Sequence, residues 1–319
     1  MDNRNNSKAE AMLALTSLLW GMTFIVIKKG LNDASPFMFL ALRFGTAFIV
    51  YYLIFRKHFK NISRMTFFRA ILISVFFFGG YAFQTLGLRY TTVAKSALFT
   101  YMFAPLIPPL QFIFTGKKPK AINVVALAVV FIGVLIYSSP NGELFDIRAF
   151  LNYKTDYLNE YFGGSSFNIG DFLSLLGAVS YAFFILLIDR FSEKESPVVM
   201  TGFQLFYSAL IAIILSVIFE KTFIKPTINL AVSILYLAIP GSVIAVYFMN
   251  KYQGMTTAVR ASLIYSLEPV FTIIFGWLIL REKLSIVEIS GAVIIVLGVT
   301  TAEVVGAVLE KKRREEPAF

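Results

Sequence analysis

An all-α integral membrane protein of ten transmembrane helices, folded as two inverted five-helix repeats, is the architecture this sequence predicts. Three observations predict it. The chain is 57% hydrophobic and 15% charged, with a mean hydropathy of +0.73, too little polar surface to keep a 319-residue globule in water. Ten apolar runs approach the roughly 20 residues that a helix needs to cross a bilayer. The chain also nearly repeats itself: YTTVAKSALFTYMFAP (Tyr90–Pro105) overlays GMTTAVRASLIYSLEP (Gly254–Pro269) without a gap at a shift of 164 residues, matching Tyr101 to Tyr265 and Pro105 to Pro269. Each copy continues into an apolar run, a short charged loop and a last apolar helix with a glycine near its middle, Gly133 and Gly298. Five is odd, so the second copy enters the bilayer from the opposite face, the inverted duplication typical of secondary transporters.

In chain order the expected spans are 9–28, 36–55, 67–88, 92–114, 121–139, 170–190, 197–219, 228–250, 255–280 and 284–307. Turn residues punctuate them: Asn32 to Pro36 after the first, Gly116 to Pro119 after the fourth. The connection between the halves is longer and polar, with Asn141–Gly142, Gly163–Gly164 and several Tyr, Asn and acidic residues. The expected domains are a first repeat over 1–139, a non-cytoplasmic linker over 140–169, a second repeat over 170–307 and a basic cytoplasmic tail over 308–319. The first apolar run is followed by no small-residue cleavage site and it begins the repeat, so it reads as a retained helix, not a signal peptide.

Positive charge sets the orientation. With a cytoplasmic N-terminus, 17 of the 29 lysines and arginines fall in cytoplasmic segments, 10 on the other side, and Arg43 and Arg260 within spans. Both termini are therefore expected in the cytoplasm of a cell whose cytoplasmic membrane holds the protein. The formal charge of +10 sits in short loops rather than along one polar face, which argues against a nucleic-acid partner and for membrane lipid. The tail Lys311 to Arg314 reads either as a lipid-headgroup contact or as a solvated end. The chain has no cysteine and one histidine, His58 in a basic loop. That removes disulfides, thiolate metal sites and most acid–base chemistry, so neither metal nor cofactor is expected.

Candidate functional residues are those expensive to keep in hydrocarbon. Pro105, Pro108, Pro109, Pro240 and Pro269 lie inside spans; each lacks an amide hydrogen and frees a carbonyl one turn earlier, those of Tyr101, Tyr236 and Tyr265 among them. Broken backbone at membrane depth is tolerated where it lines a cavity or packs on protein. The matched Pro105 and Pro269 thus mark the fourth and ninth helices as cavity walls and gates, the alternative being kinks that serve packing. Arg43, Arg260 and Glu268 must face inward and find partners. Glu268 reads as satisfying the broken backbone, pairing with Arg43, or relaying protons as coupling ion. Lys95 and Arg260 begin equivalent helices and read as gate residues or as snorkelling side chains. Trp20, Tyr81, Gln84, Tyr101, Tyr181, Gln204, Tyr247, Asn250 and Tyr265 carry polar tips into apolar helices; Arg260 joins Trp20, Tyr81, Gln84, Tyr101, Tyr181, Tyr247 and Tyr265 as the expected substrate-binding set, while amides such as Gln204 and Asn250 also serve to join helices.

Leu19 to Phe24 with Lys28 a turn later, Ser35–Pro36 before Leu42–Arg43–Phe44, and Leu267 to Val270 leading to Leu280 to Leu284 and Gly291 resemble the EamA-type transporters of the drug/metabolite transporter superfamily. The likeness covers the chain outside the linker. It implies a ten-helix bundle around a central cavity and export of small metabolites, amino acids or related compounds, or drugs, often with no added cofactor. Where the second copy has Glu268–Pro269 and Arg281–Glu282, the first has Ala104–Pro105 and Lys117–Lys118, so the acidic residues stand in one half only. A sugar-phosphate or nucleotide-sugar translocator of the same superfamily is the nearest alternative, and a non-transporting scaffold or regulatory membrane protein the next, though neither scaffold nor receptor needs an inverted duplication. An intramembrane enzyme fits worse: no span carries two acidic residues at i, i+3 or i+4 for a metal or an acid–base pair. The oligomeric state is left open.

Overall fold

A computed structural model describes residues 3–60, 62–91, 93–116, 118–137, 169–280 and 286–315; the polar linker lies outside them. Among the described residues the chain is helical throughout, apart from one isolated backbone bridge between Ala34 and Ile224. The helices are α1 (Asn3–Gly21), α2 (Thr23–Gly30), α3 (Pro36–Phe55), α4 (Arg64–Tyr90), α5 (Val93–Tyr101), α6 (Phe103–Thr115) and α7 (Ala121–Tyr137), then α8 (Ile169–Phe191), α9 (Pro197–Phe219), α10 (Ile228–Ala238), α11 (Ala245–Tyr252), α12 (Ala258–Tyr265), α13 (Leu267–Leu280) and α14 (Ile286–Glu315). Among the described residues, seven helical stretches are long and apolar enough to cross a membrane: Ser7–Gly30, Pro36–Phe59, Arg64–Tyr90, Ile169–Phe191, Pro197–Phe219, Ile228–Met255 and Ala258–Ile279. At the other three expected spans stand the shorter apolar helices Phe99–Phe114, Ala121–Gly133 and Ile289–Thr301. The last helix runs on to Glu315, so the basic tail is helical for most of its length.

Local chemistry explains the helix ends. Ser63, Thr227 and Thr257 cap their helices by accepting from the amides of Thr66, Leu230 and Arg260, each satisfying one amide that has no partner within the helix. Gly116 closes α6 in the left-handed conformation, φ 66°, its amide donating to the Phe112 carbonyl. Pro36 and Pro197 begin α3 and α9, where a missing amide hydrogen costs nothing. The start of α3 takes its cap from elsewhere: Glu220, just past α9, accepts from the amides of Met38 at 3.0 Å and Phe37 at 3.3 Å. Lys28 does the converse at the end of α4, its ammonium donating to the carbonyls of Leu88 and Thr91.

The halves meet through equivalent helices. The start of α3 lies beside the end of α9, where Ser35 donates its amide to the Phe223 carbonyl at 3.1 Å. The end of α3 lies beside the start of α9, where Tyr51 donates its hydroxyl to the Val198 carbonyl at 3.1 Å. These two helices, each opened by Ser-Pro in its own half, therefore run antiparallel. Around them α4 packs on α8, α1 packs on α11, and α7 packs on α14. Glycines permit the close approach. A Cβ at Gly170 of α8 would stand 2.8 Å from the Gly87 carbonyl oxygen of α4, and one at Gly133 of α7 would stand 3.0 Å from the Gly291 carbonyl oxygen of α14; such small-residue contacts drive helix association where lipid offers no hydrophobic gain.

The loops at the two ends of the bundle are built differently. At one end the Leu31–Ser35 turn pairs with the strand-like segment before α10: Lys225 donates its amide to the Asp33 carbonyl at 2.7 Å. The Asp33 carboxylate accepts from Asn229 Nδ2 at 2.8 Å and Thr227 Oγ1 at 2.7 Å, hydrogen bonds that hold this carboxyl below its ordinary value of 3.8. At the other end ion pairs tie the helices, Arg69 of α4 to Glu195 before α9 at 2.6 Å and Arg260 of α12 to Glu10 of α1 at 2.7 Å.

Candidate functional site

Four breaks in helical backbone surround the middle of the bundle. Between α5 and α6 the chain turns at Met102, and between α12 and α13 it turns at Ser266; both residues stand three before a proline, Pro105 and Pro269, and 164 residues apart. A proline cannot donate to the carbonyl four residues back and its ring pushes that carbonyl aside. The loosened turn therefore opens at the residue after Tyr101 and after Tyr265. Ser266 repairs part of the loss: its hydroxyl donates to the Ser262 carbonyl at 2.9 Å and meets the hydroxyl of Tyr101, which ties the two breaks together. Pro240 has a different effect. The chain between α10 and α11 widens into a π-turn over Ile239–Ile244, with Ser242 donating its hydroxyl to the Leu237 carbonyl five residues back at 2.7 Å.

The fourth break falls at Met22, between α1 and α2, with no proline near it. Side-chain hydroxyls replace the helical bonds there. Thr23 donates to the Trp20 carbonyl at 2.8 Å, and Thr272 of α13 donates to the Gly21 carbonyl at 2.8 Å. Gly21 carries no side chain, so α13 can press against it; a Cβ there would stand 2.6 Å from Phe271 Cβ.

The breaks at Met22, Met102 and Ser266 flank a cavity of about 50 Å³, space for a few water molecules at about 10–15 Å³ each; the π-turn contributes no residue to its lining. Trp20 and Thr23 come to it from the break in the first span, Tyr81 and Gln84 from α4, Thr100 and Phe103 from either side of Met102. From the second half come Tyr181, Phe184 and Ile185 of α8, Met249 of α11, and Tyr265 and Glu268 from either side of Ser266. Six of the residues expected from the sequence thus meet at one site: Trp20, Tyr81, Gln84, Tyr181, Tyr265 and Glu268. Their polar edges are mostly tied to protein. Trp20 Nε1 donates to the Gly241 carbonyl at 3.1 Å, Tyr181 donates its hydroxyl to Gln84 Oε1 at 3.1 Å, and Tyr265 donates to Gln253 Oε1 at 3.2 Å. The rings contact one another, Trp20 with Tyr265 at 5.7 Å and Tyr81 edge-on to Tyr181 at 5.5 Å between centroids. Thr100 is 5% exposed, and its hydroxyl has no hydrogen-bond partner among the described residues.

The remaining expected residues stand apart from the cavity wall. Tyr101 is one ring behind it, against Phe103 at 5.6 Å. Pro105 and Pro269 form the breaks themselves. Tyr247 lies farther along α11, in an aromatic group with Phe55 and Tyr51. Arg260 is engaged with Glu10, and the side chain of Lys95 lies outside the described residues. Arg43 is fully buried behind Tyr81, its guanidinium 4.5 Å from that ring's centroid. Nε donates to Ser242 Oγ at 2.9 Å and Nη2 to the Gly241 carbonyl at 3.2 Å, so Arg43 braces the π-turn; Nη1 has no hydrogen-bond partner among the described residues. Among the described residues the Glu268 carboxyl makes no hydrogen bond to backbone or to Arg43, and the side chain lines the cavity instead. Gln204 and Asn250 form a reciprocal amide pair, with Asn250 Nδ2 to Gln204 Oε1 at 2.7 Å and Gln204 Nε2 to Asn250 Oδ1 at 3.1 Å, joining α9 to α11 away from the cavity.

Sequence reasoning missed Thr23, Thr100, Phe103, Phe184, Ile185 and Met249. Thr100 was open to detection, one residue before Tyr101 on the broken helix; the apolar four carry no mark that separates them from lipid-facing residues. It also missed Glu10, whose pairing with Arg260 spans the two halves.

The two halves match the model of the EamA-like transporter family at residues 7–139 and 168–302. A protein of Archaeoglobus fulgidus described as an uncharacterized transporter is 30% identical over 295 residues, which is 91% of this chain and 84% of its own length. The uncharacterized transporter YyaM of Bacillus subtilis is 26% identical over 97% of each chain. A crystal structure superposes with a TM-score of 0.76 over 96% of this chain and 99% of its own at 18% identity, which shows a shared fold. The chain belongs to the EamA-like transporter family: it is a multi-pass membrane protein of a transporter family, with a small-molecule substrate and a lipid environment.

Proposed function

We propose that this protein is a secondary transporter of the cytoplasmic membrane that exports small metabolites, amino acids or related compounds, or drugs, by alternating access. Ten transmembrane helices form two inverted five-helix repeats, with both termini in the cytoplasm and the linker outside. The observation that carries this reading is the pair of interruptions at Met102 and Ser266, at the same place in the two copies, both facing one cavity. The helix pairings support it further. The α3–α9 and α7–α14 contacts each map onto themselves when the halves are exchanged, the α4–α8 contact maps onto α1–α11, and the equivalent α3 and α9 run antiparallel. Two copies that pack alike but point oppositely can each open the same site to its own face, rocking about the small-residue contacts between them. The ion pairs Arg69–Glu195 and Arg260–Glu10 tie helices together at the face assigned to the cytoplasm, so loading from that side would require them to part.

Counterflow in proteoliposomes tests the reading. Vesicles loaded with the cognate unlabelled solute are expected to accumulate labelled solute transiently, without an imposed energy source. If no member of a broad panel of metabolites and drugs exchanges faster than in protein-free vesicles, transport is refuted and a scaffold or regulatory role takes its place.

A further inference from the structure

Among the described residues that line the cavity, Glu268 is the only acidic or basic side chain. The other polar groups there are amide and hydroxyl. Three of the four polar aromatic rings have spent their hydrogen-bonding edges on protein, Trp20 on Gly241, Tyr181 on Gln84 and Tyr265 on Gln253; the fourth, Tyr81, lies over the Arg43 guanidinium. What they have left for a ligand is apolar surface and the electron-rich ring face. A carboxylate set among Trp and Tyr rings attracts an organic cation twice over, by charge and by the ring quadrupoles. For an anion the lining residues supply no basic side chain.

Arg43 is the group that could reverse this, since its guanidinium is close. It is held away from the cavity by the Tyr81 ring and by two hydrogen bonds to the π-turn.

We infer that the transported solutes are aromatic or amphiphilic organic cations, with the ammonium placed at Glu268 and the apolar part between Trp20, Tyr181 and Tyr265. This rests on the transporter reading and specifies the substrate class of that same cavity. Amino acids, which carry a carboxylate for which the cavity wall has no partner, are then poorer substrates than the corresponding amines. Thr100, whose buried hydroxyl has no hydrogen-bond partner, is placed to accept one N–H of the ammonium.

Three solutes with one ring and different charge separate the possibilities: phenethylamine, phenylalanine and phenylacetate. Their binding to the purified full-length protein at neutral pH is read by the shift in melting temperature and by calorimetry, and their exchange by counterflow. Phenethylamine is expected to bind and exchange, at least about tenfold more tightly than phenylalanine, with phenylacetate weakest. Glu268→Gln is expected to weaken phenethylamine about 30-fold or more, the loss typical of removing one partner of a desolvated charge pair, and to leave the melting temperature without ligand close to that of the parent. Trp20→Leu, which removes the ring and keeps an apolar side chain, is expected to weaken it about tenfold. The inference is overturned if phenylalanine or phenylacetate binds as well as the amine, if the amine does not bind, or if Glu268→Gln binds it unchanged. Exchange of phenylalanine without exchange of the amine would remove the cation assignment and leave transport standing, whereas exchange of no member of the broader panel would remove transport itself.

Discussion

The interrupted helices α5–α6 and α12–α13 are near copies that share a geometry and differ in chemistry. Each has a proline three residues past the break and a buried tyrosine just before it. Yet the residue preceding the proline is Ala104 in one and Glu268 in the other; Ala104 is fully buried, whereas the Glu268 side chain reaches the cavity. Backbone interruption depends on proline and survives in both halves. Charge is needed at one place only, and a second carboxylate on the opposite side would have to be desolvated for no partner. On the proposed reading, the duplication supplies the moving frame twice and the recognising group once.

Moving the carboxylate is the harshest way to break that comparison. Ala104→Glu buries a carboxylate in a packed position at a cost of at least roughly 2.5–3.5 kcal/mol, so the amount of protein extracted in folded form is expected to collapse, while Glu268→Ala is expected to extract like the parent. Equal yields would contradict the asymmetry. Next in size is the seam between the halves. Gly170→Leu places side-chain atoms where a Cβ alone would stand 2.8 Å from the Gly87 carbonyl oxygen and 2.9 Å from the Thr91 amide nitrogen, and overpacking of this kind costs about 1–3 kcal/mol; thermal denaturation in detergent should show a fall of several degrees, and an unchanged midpoint would mean the helices are not so close.

A smaller effect is expected at the amide pair. Gln204→Leu removes an interhelical hydrogen bond of a kind that averages about 0.6 kcal/mol in membranes, so a slight loss of stability with exchange retained is predicted. Loss of exchange without loss of stability would place Gln204 in the transport pathway. The smallest effect concerns the outer loops. The Asp33 carboxyl is held below its ordinary value, so its hydrogen bonds stabilise the fold above 3.8 and that contribution disappears as pH falls through the lower folded value. Asp33→Asn should flatten this part of the acid limb in a melting-temperature series against pH. An identical acid limb in the variant would show that the bonds to Asn229 and Thr227 contribute nothing.

Much of the architecture was legible because it rests on patterns that are local in sequence. Apolar runs marked the helices, the turn ending in Ser35–Pro36 marked a helix start, and the paired prolines located two of the breaks. The cavity was half legible. A Tyr, Trp or Glu in an apolar run announces itself by its desolvation cost, whereas Phe184, Ile185 and Met249 look the same whether they face lipid or substrate. The break at Met22 was hidden because hydroxyls of Thr23 and Thr272, not a proline, sustain it, and Thr272 arrives from 250 residues away. Arg43 and Arg260 were rightly expected to need partners, but Ser242, Gly241 and Glu10 are chosen by packing between halves, which no periodicity encodes.

The central claim is that one cavity, walled by matched breaks, opens to each side of the membrane in turn. A single cysteine tests it, because the native chain has none. Thr100→Cys places a thiol at the cavity wall beside the Met102 break. Impermeant thiol reagents applied to right-side-out and to inside-out vesicles should each modify it, substrate should slow both reactions, and the membrane should remain tight to small ions throughout. Modification from one face only, with transport intact, would contradict the account.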